Sequence, residues 1–190
     1  NEFFASRNLP AFIRPLGEPN RGKNVWATYE ESGKPRNGEH SQAWYIQAFR
    51  RIYMIAHGGA TIQQINARLA AIKLPPVQTQ LPVTTSLPRP PVAIVWSTLP
   101  VGSPKKIKEN RPGYFWPGEE WVDLVAPDFY SDQYLKDLDY LYSRPYLHSE
   151  PFGLAEWGVI ALRPTFAREA IEWALERRGR MRILVYYDGY

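Results

Sequence analysis

"VDLVAPDFY", residues 122 to 130, is a near-continuous apolar run that ends on a carboxylate and a phenol. A run of this kind, without the alternation of a half-solvated strand, suits a strand covered on both faces, as in parallel sheets. Three further stretches share the pattern: "VAIVW" (92–96), "FGLAEW" (152–157) and "RILVYY" (182–187). An earlier short run, Pro10 to Leu16, supplies a fifth strand candidate. Between the later strands lie "YLKDLDYLYSR" (134–144) and "PTFAREAIEWALERRG" (164–179), the second with Phe166, Ala170, Trp173 and Ala174 at helical spacing. Strand, helix, strand, repeated, predicts a parallel sheet and an α/β fold.

Working upstream, Ser41 is placed to cap the helical stretch "QAWYIQAFRRIYMIA", which Gly58-Gly59 ends. Thr61 caps a second, "IQQINARLAAIK", closed by Pro75-Pro76. Trp44 and Trp173, both on helix stripes, are assigned to the core. Residues 75–91 hold six prolines, so they read as an irregular connector.

With 190 residues, 44% of them hydrophobic, the chain can bury a sizeable core as one domain, residues 1–190. The formal charge is +4, but the bases fall in scattered groups, Arg50-Arg51, Lys105-Lys106-Lys108 and Arg177 to Arg182. A nucleic-acid binder gathers them along one stripe, so that partner is not expected. The absence of cysteine rules out disulfides and thiol chemistry and leaves the compartment open. No apolar run reaches the roughly 18 residues of a membrane span, and no membrane partner is expected. The chain opens on Asn1 without an apolar signal segment, so translation is expected to start elsewhere. His148 and Glu150 lack a third nearby ligand, and His40 and His57 read as structural. No metal or cofactor is expected. Seven Trp and twelve Tyr offer flat faces of the kind that stack on sugar rings.

Four of the five strand candidates end in side chains that belong in no core: Glu18 after "FIRPLG", Asp128 and Tyr130 in "VAPDFY", Glu156 in "GLAEWG", and Tyr187-Asp188 after "ILVY". Carboxyl ends of parallel strands form the mouth of a (β/α)8 barrel, where active sites of that fold lie. Two carboxylates facing one another across an aromatic-lined cleft are what glycoside hydrolysis needs: one protonates the leaving oxygen, the other attacks or activates water.

These stretches also carry a resemblance. "AFIRPLGEPN" resembles the acid/base strand of glycoside hydrolase family 26, the β-mannanase family, whose motif is roughly R-P-x-H-E-x-N. "WPGEEWVDLVAPDFY" is similar to its W-Y-P-G-D-x-Y-V-D-W-V-G-x-D-x-Y segment, "LAEWG" to its nucleophile motif S-E-F-G, and "VAIVWS" to its V-W-S-P strand. The four occur in the family's order. The resemblance implies a (β/α)8 TIM-barrel fold and a retaining double displacement on β-linked polysaccharide. Glu18 would be the general acid/base and Glu156 the nucleophile. Tyr130 would hydrogen-bond the nucleophile, Asp128 would be the aspartate two residues before it, and Arg14 and Asn20 would set the charge and geometry of the carboxylates. Trp26 would floor a sugar subsite, and Trp96, Trp157 and Tyr187 are further candidate substrate contacts at strand ends. Gly17 stands where the family has histidine, Pro19 where it has methionine, and Trp157 where it has phenylalanine. The resemblance points to secretion rather than to the cytoplasm.

A (β/α)8 barrel typically takes about 250 residues. Only five strands are read here, matching the fourth to the eighth. An open part-barrel would expose its sheet edges. The expectation is therefore a C-terminal portion of a barrel, its open edge covered by the missing N-terminal part or by a partner. Two other functions fit the residues: a non-catalytic carbohydrate-binding protein on a degenerate barrel, and a related β-glucanase or xylanase.

Overall fold

The structure is a computed structural model and describes residues 2–161 and 163–187. Asp188, singled out above, lies outside the described residues, as does Asn1. A short helix α1 (Glu2–Arg7) precedes strand β1 (Ala11–Ile13), and a long loop leads to helix α2 (Gln42–His57). Next come β2 (Ala60–Thr61), α3 (Ile62–Ala71) and β3 (Ser86–Leu87), then β4 (Val92–Trp96), β5 (Leu124–Val125) and β6 (Asp128–Tyr130). Helix α4 (Leu135–Tyr142), strand β7 (Phe152–Gly158), helix α5 (Phe166–Glu176) and strand β8 (Met181–Tyr186) complete the order.

The helix boundaries follow local chemistry. The Ser41 side chain accepts from the Trp44 N–H at the start of α2, and Gly58, at φ 55°, ends it in the left-handed region that glycine adopts without a Cβ penalty. Thr61 and Gln64 form a reciprocal capping box on α3. The proline-rich connector contains no helix; its one regular feature is the two-residue antiparallel pairing of β3 with β2.

All main-sheet pairings are parallel: β1 with β4, β4 with β5, β5 and β6 with β7, and β7 with β8. Pro127, with no N–H to give, splits one strand into β5 and β6. The result is a curled half-barrel of five parallel strands in chain order. Side chains alternate across it. Ile94, Trp96, Val125, Phe152 and Leu154 face the helices, where they pack with Phe49 of α2, Leu138 of α4 and Phe166 and Trp173 of α5. The opposite face carries a smaller cluster, Val95, Leu124, Ala126 and Ala155, with Ile183 against it.

One helix assignment is corrected. Trp44 is 51% exposed, because the buried stripe of α2 runs through Tyr45 and Phe49, and Trp44 sits one position, about 100°, away from it. Trp173 is buried as expected. Both sheet edges are open among the described residues. Phe12 of β1 and Leu184, Val185 and Tyr186 of β8 are exposed.

Candidate active site

β6 and β7 present the site. Their register places Asp128, the first residue of β6, directly opposite Glu156, near the carboxyl end of β7, so two carboxyls stand side by side. Two like charges at that spacing repel, and the chain answers with Arg14, just past the end of β1. Its Nη2 donates to Asp128 Oδ2 at 2.6 Å, and its Nη1 donates to Glu156 Oε1. Ser97, the residue after β4, donates to Asp128 Oδ1 at 3.1 Å, and the Tyr130 hydroxyl donates to Glu156 Oε2. Both oxygens of each carboxyl are thus engaged.

These contacts separate the two groups electrostatically. Burial pushes the Glu156 carboxyl up, but hydrogen bonds from Tyr130 and Arg14 outweigh it and hold Glu156 below its ordinary value. Asp128 is fully buried, and burial drives its carboxyl well above the usual range against the pull of Arg14, with Glu18 and Glu156 adding repulsion. Burial alone would lower Arg14; Asp128, Glu156 and Glu18 around it raise it, so the guanidinium stays charged. Burial and the Glu156 carboxylate both push the Tyr130 phenol up, which keeps its proton available for donation.

Glu18 reaches the site from a loop, five residues beyond the end of β1. Leu16 and Glu18 both have positive φ, 50° and 52°, a conformation that costs a non-glycine residue about 1–2 kcal/mol. The surroundings hold it. The Glu18 N–H donates to the Ser97 carbonyl at 3.0 Å, and the Asn24 amide donates to the Glu18 carbonyl at 3.0 Å. Arg21 Nη1 donates to Glu18 Oε2 at 2.8 Å. The other oxygen, Oε1, is buried without a hydrogen-bond partner.

A cleft of about 420 Å³ brings Arg14, Glu18, Arg21, Asn24, Trp26 and Glu156 together with Leu16 and Gly17. Trp26 is 45% exposed along this wall, its indole N–H fixed on the Gly17 carbonyl at 3.0 Å. Gly17 explains itself by geometry: a Cβ there would stand 2.6 Å from Arg14 Nε and Nη2. Only glycine leaves the guanidinium in place beneath the loop.

Several expected substrate contacts lie elsewhere. Trp96 is fully buried on the helix side, its indole N–H bonded to the Phe115 carbonyl. Asn20 is fully buried too. Its amide donates to the Leu99 carbonyl at 2.8 Å and accepts from the Leu99 N–H at 2.9 Å, which holds the Glu18 loop alongside the chain leaving β4. Trp157 is buried with its ring against Tyr186. Tyr187 is exposed and meets Tyr130 edge-on at 6.3 Å between ring centroids, outside the cleft wall.

Arg21, Asn24 and Ser97 were not anticipated. Arg21 carried one signal, an opposite charge three residues after Glu18. The His57 ring pairs with Asp123 Oδ2 at 2.8 Å, and the same oxygen accepts from the Ile94 N–H at 2.7 Å, which ties the end of α2 to β4. Among the described residues no three His, Asp or Glu side chains form a group that could hold a metal ion. No helix there is long and apolar enough to cross a membrane.

No family model and no curated protein sequence matches this chain. Among solved structures it is similar to the Bacillus subtilis mannanase BCman, with a TM-score of 0.52 at 18% identity. The match covers 98% of this chain and 45% of the mannanase, so the chain spans just under half the length of that enzyme. The likeness is one of fold: the half-barrel of parallel strands has the architecture of part of a mannanase-like glycosidase.

Proposed function

We propose that this chain carries the reaction centre of a retaining glycoside hydrolase acting on β-linked, mannan-like polysaccharide. The observation that carries this reading is the double clamp on Glu156. Arg14 and Tyr130 hold one oxygen each, so the carboxylate is ionised and aimed into a cleft that Glu18 also lines. On this reading Glu156 attacks the anomeric carbon, while Glu18 protonates the departing glycosidic oxygen. Glu18 then takes a proton from the water that releases the glycosyl-enzyme. Asp128 does not touch the sugar; it anchors Arg14. Trp26 supplies a flat face for a sugar ring.

The bare Oε1 of Glu18 supports the acid/base role. A buried polar atom without a partner costs about 1–3 kcal/mol, and a sugar oxygen entering the cleft relieves that cost. On the same reading the open edges at β1 and β8 are covered by further barrel strands or by a partner. The test is release of reducing sugar from β-mannan, β-glucan and β-xylan. Release from mannan that falls at least about a thousandfold in Glu156→Gln supports the reading. Binding of these glycans without release from any of them favours a carbohydrate-binding protein instead.

A further inference from the structure

A second groove, about 600 Å³ and larger than the cleft, lies between the chain that follows β4 and the end of α4. Its polar wall is one-signed: Lys105, Lys106, Lys108, Arg111 and Arg144 line it, and no acidic residue does. None of the five pairs with a carboxylate among the described residues. The rest of the wall includes Tyr114, Tyr140 and Tyr146, with the Arg144 guanidinium stacked 3.7 Å from the Tyr140 ring centre. Five cations gathered without counter-charges repel one another, a cost that an anionic ligand removes.

The groove also neighbours the carboxylate cleft. Lys105 lines both the groove and a smaller cavity of about 250 Å³, and that cavity shares Glu18 and Arg21 with the cleft. The three cavities therefore adjoin one another through shared walls.

We propose that this groove binds anionic sugar residues, bearing a carboxylate or a sulfate ester, several units away from the bond held at Glu18 and Glu156. The substrate class is then an acidic β-linked glycan; this deepens the glycosidase reading and rests on it. Tyrosine faces take the rings, and the lysines and arginines take the acid groups. A nucleic acid would also suit cations interleaved with tyrosines. It fits worse here, because the neighbouring cavity shares Glu18 and Arg21 with the cleft that the glycosidase reading assigns to a glycosidic bond.

Calorimetry on Glu156→Gln protein reads binding without turnover. The probes are a β-1,4-mannuronan hexamer, its neutral counterpart mannohexaose, sulfated mannohexaose and a six-nucleotide single strand. The proposal expects mannuronan, the sulfated sugar or both to bind at least about tenfold tighter than mannohexaose at low salt, with the gap closing near 1 M salt. Which acid is preferred identifies the group recognised. Lys106→Glu with Lys108→Glu, two exposed side chains without an ion-pair partner among the described residues, should erase the gap. Equal affinity for charged and neutral sugars, a gap that survives the double substitution, or an oligonucleotide bound as tightly as the acidic sugars overturns it. Hydrolysis is assayed separately in the native protein. A glycosidase without the anionic preference refutes the groove alone, and a preference without hydrolysis of any β-glycan refutes the glycosidase reading.

Discussion

Gly17 and Arg14 are in such close approach that the smallest side chain at 17 would meet the guanidinium that holds Asp128 and Glu156 together. Gly17→Ala is therefore expected to displace Arg14 and lower kcat/KM at least about tenfold, with a loss of about 1–3 kcal/mol in stability from overpacking. Gly17→His, whose larger side chain starts from the same Cβ position, should fare no better. Denaturant melts and kinetics of the two variants check this.

Tyr130→Phe removes one of the two hydrogen bonds that lower the Glu156 pKa. The sign follows from the charged form losing support: the Glu156 pKa rises. The acid limb of kcat/KM against pH should move to higher pH. Stability contributed by Glu156 is present above its unfolded value of 4.5 and lost as pH falls through the lower folded value. In Tyr130→Phe that contribution shrinks, so the variant should differ most from the native protein above pH 4.5 and least in strong acid. Paired pH profiles of activity and melting read both effects.

Asn20→Ala breaks both hydrogen bonds to Leu99 and leaves its buried N–H and carbonyl unmatched. The expected loss is about 2–4 kcal/mol. Because Asn20 positions the Glu18 loop and does not line the cleft, surviving folded protein should lose kcat more than it raises KM. Asn20→Asp, which keeps only the accepting half, should be intermediate in stability.

Glu150 is buried, and burial, with Glu119 and Asp123 nearby, pushes its carboxyl up to about 7. Its folded pKa lies above the unfolded value of 4.5, so the folded state holds the extra proton and stability falls as pH rises from 4.5 toward 7. Glu150→Gln should flatten that slope and melt higher than the native protein at pH 8. Thermal melts from pH 4 to pH 8 test it.

Much of the architecture was legible from local pattern. The apolar runs at 92–96 and 152–157 became β4 and β7, and Ser41 and Thr61 cap the helices they precede. The apolar run at 122–130 gives no sign of its interruption except Pro127, which supplies the reason. Among the site residues, the pairing of Asp128 with Glu156 depends on register across a helix crossover, which no local spacing encodes. Trp96 and Asn20 illustrate the converse. Both stand next to site residues in sequence, yet alternation turns Trp96 to the helices, and the Leu99 backbone claims the Asn20 amide. Arg21 and Asn24 lie in a polar loop whose fold is set by its contacts with the chain after β4 rather than by its own pattern.

The experiment that bears most directly on Glu156 as the nucleophile is a search for a covalent sugar on its carboxylate. Glu18→Ala, mixed with an aryl β-mannoside whose phenol leaves without protonation, should release one equivalent of phenol in a burst and then stall. Peptide mass spectrometry should place one glycosyl unit on the fragment containing Glu156. A linear release with no burst, a label on any other residue, or Glu156→Gln protein that turns over at the native rate would rule out Glu156 as the nucleophile.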